Sequence, residues 1–205
     1  MASVNDTVVA LLLAEANKLL AQSSVRPLII AIDGKCGSGK TYYSGKLARV
    51  LSASVIHCDN FFLPVDMRTD ARLSEVGGNI HYERLGALLS AIKDEQARDI
   101  GVNNTLYLTY EAYDCSTDSY ERRILTGSQV IIVEGSYALH PTLRQLYDLK
   151  VLFTVDNQTQ LARLTKRESE QSLANFINKW IPLENRYFDT LDTVDCIVIN
   201  TSNLS

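Results

Sequence analysis

Five short apolar runs rich in valine and isoleucine recur along the chain, at residues 28–32, 55–56, 130–133, 151–155 and 196–199. They do not alternate with polar residues, which is typical of strands buried on both faces of a parallel sheet. Helical patterns separate them, and one helix face is marked at i, i+3, i+4 and i+7 by Leu85, Leu88, Leu89 and Ile92. This alternation predicts an α/β fold, a three-layer sandwich around a five-stranded parallel sheet.

The first segment, residues 1–24, is predicted to be an amphipathic helix, with Ser3 and Asp6 as a pair similar to a capping box. No internal repeat and no stretch rich in proline, glycine and serine divides the chain. We therefore expect residues 1–205 to form a single domain.

Two connections between the predicted strands are too long for a single helix. Residues 60–129 predict a helix over 82–96 and a hairpin with arms at 105–110 and 122–125. We expect this stretch to be a substrate-binding insertion, because long connections at the ligand edge of a sheet commonly form substrate walls.

Residues 157–193 form the second long connection and predict two helices, broken near Ser172 and Pro182. We expect this stretch to form a short lid, since such connections commonly close over a bound ligand.

Polar side chains follow the apolar runs, and four of them are acidic: Asp33, Asp59, Glu134 and Asp156. The carboxyl ends of parallel strands meet at one edge of a sheet, where ligands bind. The sequence therefore predicts that these carboxylates gather at one edge that also carries a metal ion.

The segment after the first apolar run matches the pattern GxxxxGK[ST], with Gly34, Lys35, Cys36, Gly37, Ser38, Gly39, Lys40 and Thr41. Glycines let the backbone wrap closely, so that N–H groups point at phosphate oxygens. In this motif Lys40 reaches the β- and γ-phosphates and the Thr41 hydroxyl binds Mg²⁺. The segment, called the P-loop below, predicts binding of a nucleoside triphosphate.

Charge and composition limit the classes of partner that this protein is expected to bind. The 205 residues carry a net charge of −4, so no global positive field attracts nucleic acid or an anionic membrane. The apolar run at 8–14 is far shorter than the roughly 20 residues of a membrane span. Four scattered cysteines without a CxxC pair predict reduced thiols, and we expect a cytoplasmic protein. The oligomeric state stays open, with a homodimer and a homotetramer as alternatives.

A guanine-reading NKxD motif does not follow a later strand, since Asn178-Lys179 continues into Trp180 and Ile181. A small P-loop protein with long substrate-wall insertions indicates a small-molecule kinase. We expect ATP as the phosphate donor and leave GTP open.

Several segments resemble the uridine kinase and phosphoribulokinase superfamily of P-loop kinases, namely residues 32–34, 57–64, 77–80, 133–137, 148–150, 163–167 and 179–188. The last of these is similar to a bacterial uridine-kinase-like branch, and the likeness covers roughly residues 27–199. The resemblance implies a P-loop NTPase fold and an ATP- and Mg²⁺-dependent phosphotransferase that uses an alcohol group as acceptor.

The resemblance also implies roles for the acids and for the aromatic pair that follows Asp59. Asp59 stands at the position of the catalytic base, with a Mg²⁺ ligand or a helix cap as alternatives. Phe61 and Phe62 are expected to wall the acceptor. Glu134 stands where a Walker-B acid would bind the metal, and its alternative is a solvent-facing carboxylate at a strand end.

Arg163, Lys166 and Arg167 share a helix face by their i, i+3, i+4 spacing. The resemblance implies that Arg163 and Arg167 belong to a lid and meet the transferring phosphoryl group. The alternative is a solvated face that also carries Glu168 and Glu170.

The likeness is weaker on the acceptor side. His81 stands where uridine kinases have an aspartate that grips the ribose hydroxyls, and it is either a donor to a hydroxyl or a surface histidine. Tyr113 and Asp114 match the Tyr-Asp pair of the superfamily's hairpin, whereas the histidine that contacts a pyrimidine would fall near Asp118.

These observations favour transfer of the ATP γ-phosphate, with Mg²⁺, to a hydroxyl of a small metabolite. A pyrimidine nucleoside such as uridine or cytidine is the leading acceptor. Pantothenate, a sugar or a sugar phosphate are alternatives, and a nucleotide-dependent switch or chaperone is the alternative from another class.

Overall fold

A computed structural model of the protein describes residues 4–22, 27–94, 99–100, 106–126 and 128–204. Its strands are β1 (Leu28–Gly34), β2 (Ser54–His57), β3 (Asp99–Ile100), β4 (Leu106–Asp114), β5 (Ser119–Thr126), β6 (Val130–Glu134), β7 (Leu149–Thr154) and β8 (Ile197–Asn200). Its α-helices are α1 (Val4–Gln22), α2 (Lys40–Leu51), α3 (Asp70–Ser74), α4 (Tyr82–Lys93), α5 (Asn157–Arg167), α6 (Glu170–Asn175) and α7 (Ile181–Phe188).

The main sheet has five parallel strands in the order β2-β6-β1-β7-β8. Every residue of the central strand β1 is buried, as its uninterrupted apolar run predicts. Successive β1 side chains point to opposite faces: Ile29 and Ala31 pack into one core, and Ile30 and Ile32 into the other. The predicted three-layer α/β sandwich is confirmed.

The hairpin insertion forms a second, antiparallel sheet of β3, β4 and β5. Its arms are longer than predicted, because pairing between β4 and β5 continues as far as Asp114 and Ser119. There the Asp114 carboxylate accepts a hydrogen bond from the Ser116 N–H at 2.8 Å, which closes the turn locally. Residue 105, at the predicted start of the first arm, lies outside the described residues.

Two predicted helices are present with slightly different ends. The N-terminal helix α1 spans Val4–Gln22, and Ser3 of the expected capping pair lies outside the described residues. Helix α4 begins at Tyr82 as predicted and ends at Lys93, and residues 95–96 also lie outside the described part. In the part of the chain that the structure describes, no helix combines the length and the apolar character needed to cross a membrane.

Of the two helix breaks predicted in the lid region, the one near Ser172 lies a few residues earlier, and the one near Pro182 is absent. The chain breaks at Glu168 and Ser169, and the Ser169 hydroxyl caps α6 by accepting from the Ser172 N–H. Residues 170–188 then run without interruption through α6, a π-helical turn (Phe176–Trp180) and α7. Pro182 lies in the first turn of α7 and does not end the helical run.

Candidate active site

A cavity of about 780 Å³ lies at the carboxyl ends of the central strands, where ligands bind in open α/β sheets. Its wall combines the P-loop, the segments that follow β2 and β6, the tip of the β4–β5 hairpin, and the helical segment 170–188. The cavity therefore joins the phosphate-binding loop to the two long insertions that the sequence assigns to the substrate.

The P-loop connects β1 to α2. Gly37 and Gly39 adopt left-handed backbone conformations with φ of 76° and 89°, which are accessible to glycine without strain. Gly39 precedes α2, and no side chain among the described residues caps this helix, so its first N–H groups are available to an anion. Lys40, the first residue of α2, lines the cavity, and its ammonium lies 3.4 Å from the Lys35 carbonyl oxygen.

Thr41 and Glu134 meet at the inner end of the cavity. The Thr41 hydroxyl donates a 3.2 Å hydrogen bond to one oxygen of the buried Glu134 carboxylate. The alternative of a solvent-facing carboxylate at Glu134 is therefore wrong. Among the described residues, no group of three or more His, Cys, Asp or Glu side chains is arranged to hold a metal ion alone. A hydroxyl beside one carboxylate does fit Mg²⁺, which commonly takes its other ligands from water and substrate phosphates.

His57, the last residue of β2, lies beside the same carboxylate. Its Nδ1 is 2.6 Å from the second oxygen of Glu134, so both oxygens of that carboxylate have partners. The hydrogen bond to Glu134 raises the pKa of His57, against the opposing effect of burial. His57 is not among the residues predicted from the sequence, although its place at a strand end, two residues before Asp59, was a usable signal.

Asp59 lies in a 3₁₀ turn directly after β2 and lines the cavity together with Lys40 and Glu134. Asp59 as a whole residue is exposed, but protein atoms surround much of its carboxyl group. This burial raises the pKa of Asp59, and the Lys40 ammonium opposes the rise. The strand end therefore presents a carboxylate of raised basicity toward the cavity.

The two aromatic residues after Asp59 separate. Phe62 lines the cavity as expected, whereas Phe61 does not. Phe61 is 1% exposed and stacks on Tyr110 at 5.6 Å between ring centroids, within the core under α4. Of the two rings predicted to wall the acceptor, only Phe62 therefore lines the cavity, because the turn that presents Phe62 to the cavity directs Phe61 into the core.

On the acceptor side, Tyr113 and Asp114 line the cavity as predicted, but His81 does not. The His81 Nδ1 lies 3.0 Å from the Glu83 carboxylate, and its backbone N–H donates to the Phe61 carbonyl oxygen at 2.6 Å. The position of His81 at the start of α4 therefore ties it to that helix rather than to the cavity.

The two arginines of α5 have different surroundings. Arg167 lines the cavity, whereas Arg163 does not. The Arg163 guanidinium donates to the Gly37 carbonyl oxygen at 3.0 Å and to the carbonyl oxygens of Thr201 and Leu204, both at 2.7 Å. The expectation that Arg163 meets the phosphoryl group does not fit this position, because its donors bind the back of the P-loop to the C-terminal segment.

Asp33 also differs from its expected place. It is completely buried, and its carboxylate accepts hydrogen bonds from the Tyr187 hydroxyl at 2.7 Å and from the N–H groups of Leu139, Tyr137 and Gly34. The structure places it behind the cavity as the residue that joins β1, the segment after β6, and α7.

Comparison with known proteins identifies the family of this chain. The sequence model described as "Phosphoribulokinase / Uridine kinase family" matches residues 29–172, more than half of the chain. The chain belongs to this family. A uridine kinase of Limosilactobacillus reuteri (strain DSM 20016) is 27% identical over 164 residues, which cover 78% of this chain and 75% of that protein.

Other relatives of the family member differ in size and name. TTM2 of Arabidopsis thaliana, named as an inorganic pyrophosphatase, is 28% identical over 162 residues, but the chain covers 22% of that protein. A solved structure of a candidate fructose transport system kinase from Silicibacter sp. TM1040 matches with a TM-score of 0.70 at 19% identity, covering 93% of this chain and 98% of that chain. This last similarity concerns the fold, which is that of P-loop kinases.

One buried residue of this family member has no role in the sequence analysis. Glu184 of α7 is 4% exposed, lines the cavity, and accepts the Cys36 N–H of the P-loop with both carboxylate oxygens, at 2.9 and 3.1 Å. The spacing of Glu184 and Tyr187 at i and i+3 places both on one helix face, and that was the available signal.

Proposed function

We propose that this protein transfers the γ-phosphoryl group of ATP to a hydroxyl of a small metabolite, with a pyrimidine nucleoside as the leading acceptor. One observation carries the proposal: Lys40 of the P-loop, the Thr41–Glu134 pair and Asp59 all face one cavity. Phosphoryl transfer needs such a set, namely a phosphate cradle, charge neutralisation and a group that accepts the proton of the attacking hydroxyl.

The P-loop residues would bind the triphosphate. The amides at the start of α2 and the Lys40 ammonium would hold the β- and γ-phosphates, because an uncapped helix N-terminus beside a cation favours anionic groups. Thr41 and Glu134 would hold Mg²⁺, which when bound neutralises the developing charge on the phosphates. His57 would keep the Glu134 carboxylate oriented, in the way that groups behind metal ligands commonly do.

Asp59 would act as the general base. Its carboxylate accepts the hydroxyl proton as the acceptor oxygen bonds to phosphorus and the bond to the leaving ADP oxygen breaks. The raised pKa of Asp59 suits a base, because it holds the accepted proton more tightly than an ordinary aspartate. Arg167, at the end of α5, is the lid arginine that lines the cavity and would approach the transferred group.

The rest of the cavity would hold the acceptor. Phe62, Tyr113 and Trp180 offer aromatic surfaces to a planar ring, and the Arg68 guanidinium also lines this part. The Nε of Arg68 donates to the Leu63 carbonyl oxygen at 2.8 Å, and one Nη donates to the Cys115 sulfur at 3.6 Å, so the contacts of this cation are with neutral groups. Arg68 is therefore suited to bind an electron-rich group, such as a pyrimidine carbonyl oxygen. The relative that is named as a uridine kinase supports the same choice of acceptor.

The experiment is a measurement of ADP release from Mg·ATP with a panel of acceptors. The panel contains uridine, cytidine, pantothenate, free sugars and sugar phosphates, and each reaction is compared with one that lacks an acceptor. We expect uridine or cytidine to stimulate ADP release at least tenfold. Stimulation by another member of the panel would replace the nucleoside, and no stimulation by any member would overturn the kinase proposal in favour of a nucleotide-dependent switch.

A further inference from the structure

Glu184 places a carboxylate of the lid region inside the phosphate loop. Both of its oxygens accept the backbone N–H of Cys36, at 2.9 and 3.1 Å, and one of them also accepts the Ser136 hydroxyl at 2.6 Å. The carboxylate is therefore hydrogen-bonded to two segments, the P-loop that follows β1 and the loop that follows β6, and these two strands are neighbours in the sheet.

The helix that carries Glu184 is fixed at a second point. One turn later, the Tyr187 hydroxyl donates to the Asp33 carboxylate at 2.7 Å, and both residues are buried. Moving Glu184 away from Cys36 would strand a buried carboxylate and break several hydrogen bonds to it, which is costly. A phosphate group is therefore a poor competitor for the Cys36 amide, and these contacts tie α7 to the P-loop.

The same helical segment forms part of the acceptor wall. Phe176, Lys179 and Trp180, in the π-helical turn that leads into α7, line the cavity as Glu184 does. The segment 170–188 thus touches the P-loop with one residue and the acceptor space with others. One continuous helical segment therefore connects the Cys36 amide of the P-loop to the acceptor wall.

We propose that Glu184 is a positioning residue that holds the Cys36 amide of the P-loop and couples phosphate binding to the acceptor wall. This inference rests on the part of the proposed function in which the P-loop binds a nucleotide. It adds Glu184, and the connection from the Cys36 amide to the acceptor wall, to the residues that the phosphoryl-transfer chemistry requires.

Glutamine at position 184 can preserve the arrangement. Its amide oxygen can accept the Cys36 N–H while its NH₂ group donates to the Ser136 oxygen. The Ser136 hydroxyl can then donate to the Gly34 carbonyl oxygen, which already lies 3.2 Å away. Alanine removes every one of these contacts. Rescue by glutamine therefore separates positioning by hydrogen bonds from an effect of the negative charge.

The test measures Mg·ADP affinity by titration calorimetry and the emission of Trp180, the single tryptophan of the chain, in the same titration. The variants are Glu184→Ala, Glu184→Gln and, as a matched control, Glu170→Gln, which removes an exposed charge at the start of α6. Ser136→Ala removes the hydrogen bond between Ser136 and Glu184. This variant replaces Glu184→Ala in the test if circular dichroism shows that Glu184→Ala does not fold.

We expect the wild-type protein to bind Mg·ADP with a change in Trp180 emission. Glu184→Ala should bind about tenfold more weakly, as for the loss of a hydrogen bond to a charged group, and should lose the emission change. Ser136→Ala should weaken binding less, about threefold. Glu184→Gln and Glu170→Gln should stay within about threefold of the wild-type affinity and keep the emission change.

The contrary results are distinct. Unchanged or tighter binding by Glu184→Ala would overturn the inference, since tighter binding would mean that the carboxylate competes with phosphate. Weak binding by Glu184→Gln equal to that of Glu184→Ala would assign the effect to charge and overturn it as well. A wild-type protein that binds no Mg·ADP would overturn the proposed function itself, whereas wild-type binding with no effect of either variant would overturn the role of Glu184 alone.

Discussion

The phenolic hydroxyl of Tyr187 in α7 donates a 2.7 Å hydrogen bond to the buried carboxylate of Asp33 in β1. Asp33 also accepts the N–H groups of Leu139 and Tyr137, at 2.8 and 3.1 Å, so one side chain joins three segments behind the active-site cavity. Burial raises the pKa of Asp33 to about 6, although these hydrogen bonds oppose the rise.

The shift at Asp33 predicts an unusual pH dependence of stability. The ordinary pKa of an aspartate is near 4, and that of Asp33 in the folded protein is about 6. Between these two pH values the Asp33 carboxyl is protonated in the folded protein and ionised in the unfolded chain. The free energy of unfolding should therefore fall as pH rises through this window, by about 3 kcal/mol from this group. Urea unfolding at pH 4 and pH 7 measures the change.

The comparison variant for that experiment is Asp33→Asn, which has no proton to release. We expect the difference in unfolding free energy between pH 4 and pH 7 to move by about 2–3 kcal/mol in this variant relative to the wild type. An identical pH dependence of the two proteins would show that Asp33 does not titrate in the window.

Replacing the proposed base tests the chemistry separately from the fold. Asp59→Asn should lower kcat by at least about a hundredfold, because general-base help is typically worth 10²–10⁴-fold. The affinity for Mg·ADP and the thermal unfolding midpoint should stay close to the wild-type values. Asp66→Asn, a change at an exposed aspartate in the next 3₁₀ turn, is the control and should keep full activity. Near-normal turnover of Asp59→Asn would rule out a general-base role.

Arg163 and Arg167 should separate in a pair of matched variants. Arg163→Met removes the donors that hold the Gly37, Thr201 and Leu204 carbonyl oxygens, so we expect a loss of about 2 kcal/mol in unfolding free energy and weaker Mg·ADP binding. Arg167→Met should leave both quantities nearly unchanged and lower kcat at least tenfold. Denaturant unfolding, calorimetry and steady-state kinetics measure these effects. If only Arg163→Met lowered kcat, Arg163 would be the arginine that contacts the transferring phosphoryl group.

Two glycine-to-alanine changes should have opposite signs. A Cβ at Gly78 would lie 1.9 Å from the backbone carbonyl oxygen of Arg72, so Gly78→Ala forces the backbone to move and should cost at least about 2 kcal/mol. A Cβ at Gly45, inside α2, would have no atom of the structurally described residues within 4 Å, and Gly45→Ala should stabilise the protein by about 0.5–1 kcal/mol. Urea unfolding checks both, and a neutral Gly78→Ala would contradict the packing described there.

The order of apolar and polar residues was enough to predict the parallel sheet and the phosphate loop. The apolar runs predict buried parallel strands because side chains on both faces of β1 must avoid water, and Ile29 and Ile30 do so in separate cores. The P-loop was readable because its function resides in local backbone conformation, with glycines at fixed positions. The acids at strand ends were likewise predictable as a group, since parallel strands end at one edge.

Which of those polar residues face the cavity depends on contacts between segments that are far apart in the chain. Asp33 and Asp59 look alike in the sequence, yet Asp33 is buried among donors that include Tyr187 of α7, whereas Asp59 lines the cavity with Lys40. The same holds for Arg163, which is drawn to backbone carbonyl oxygens far along the chain. Glu184 reaches Cys36 across 148 residues, and no local pattern encodes a contact made by the packing of one helix against one loop.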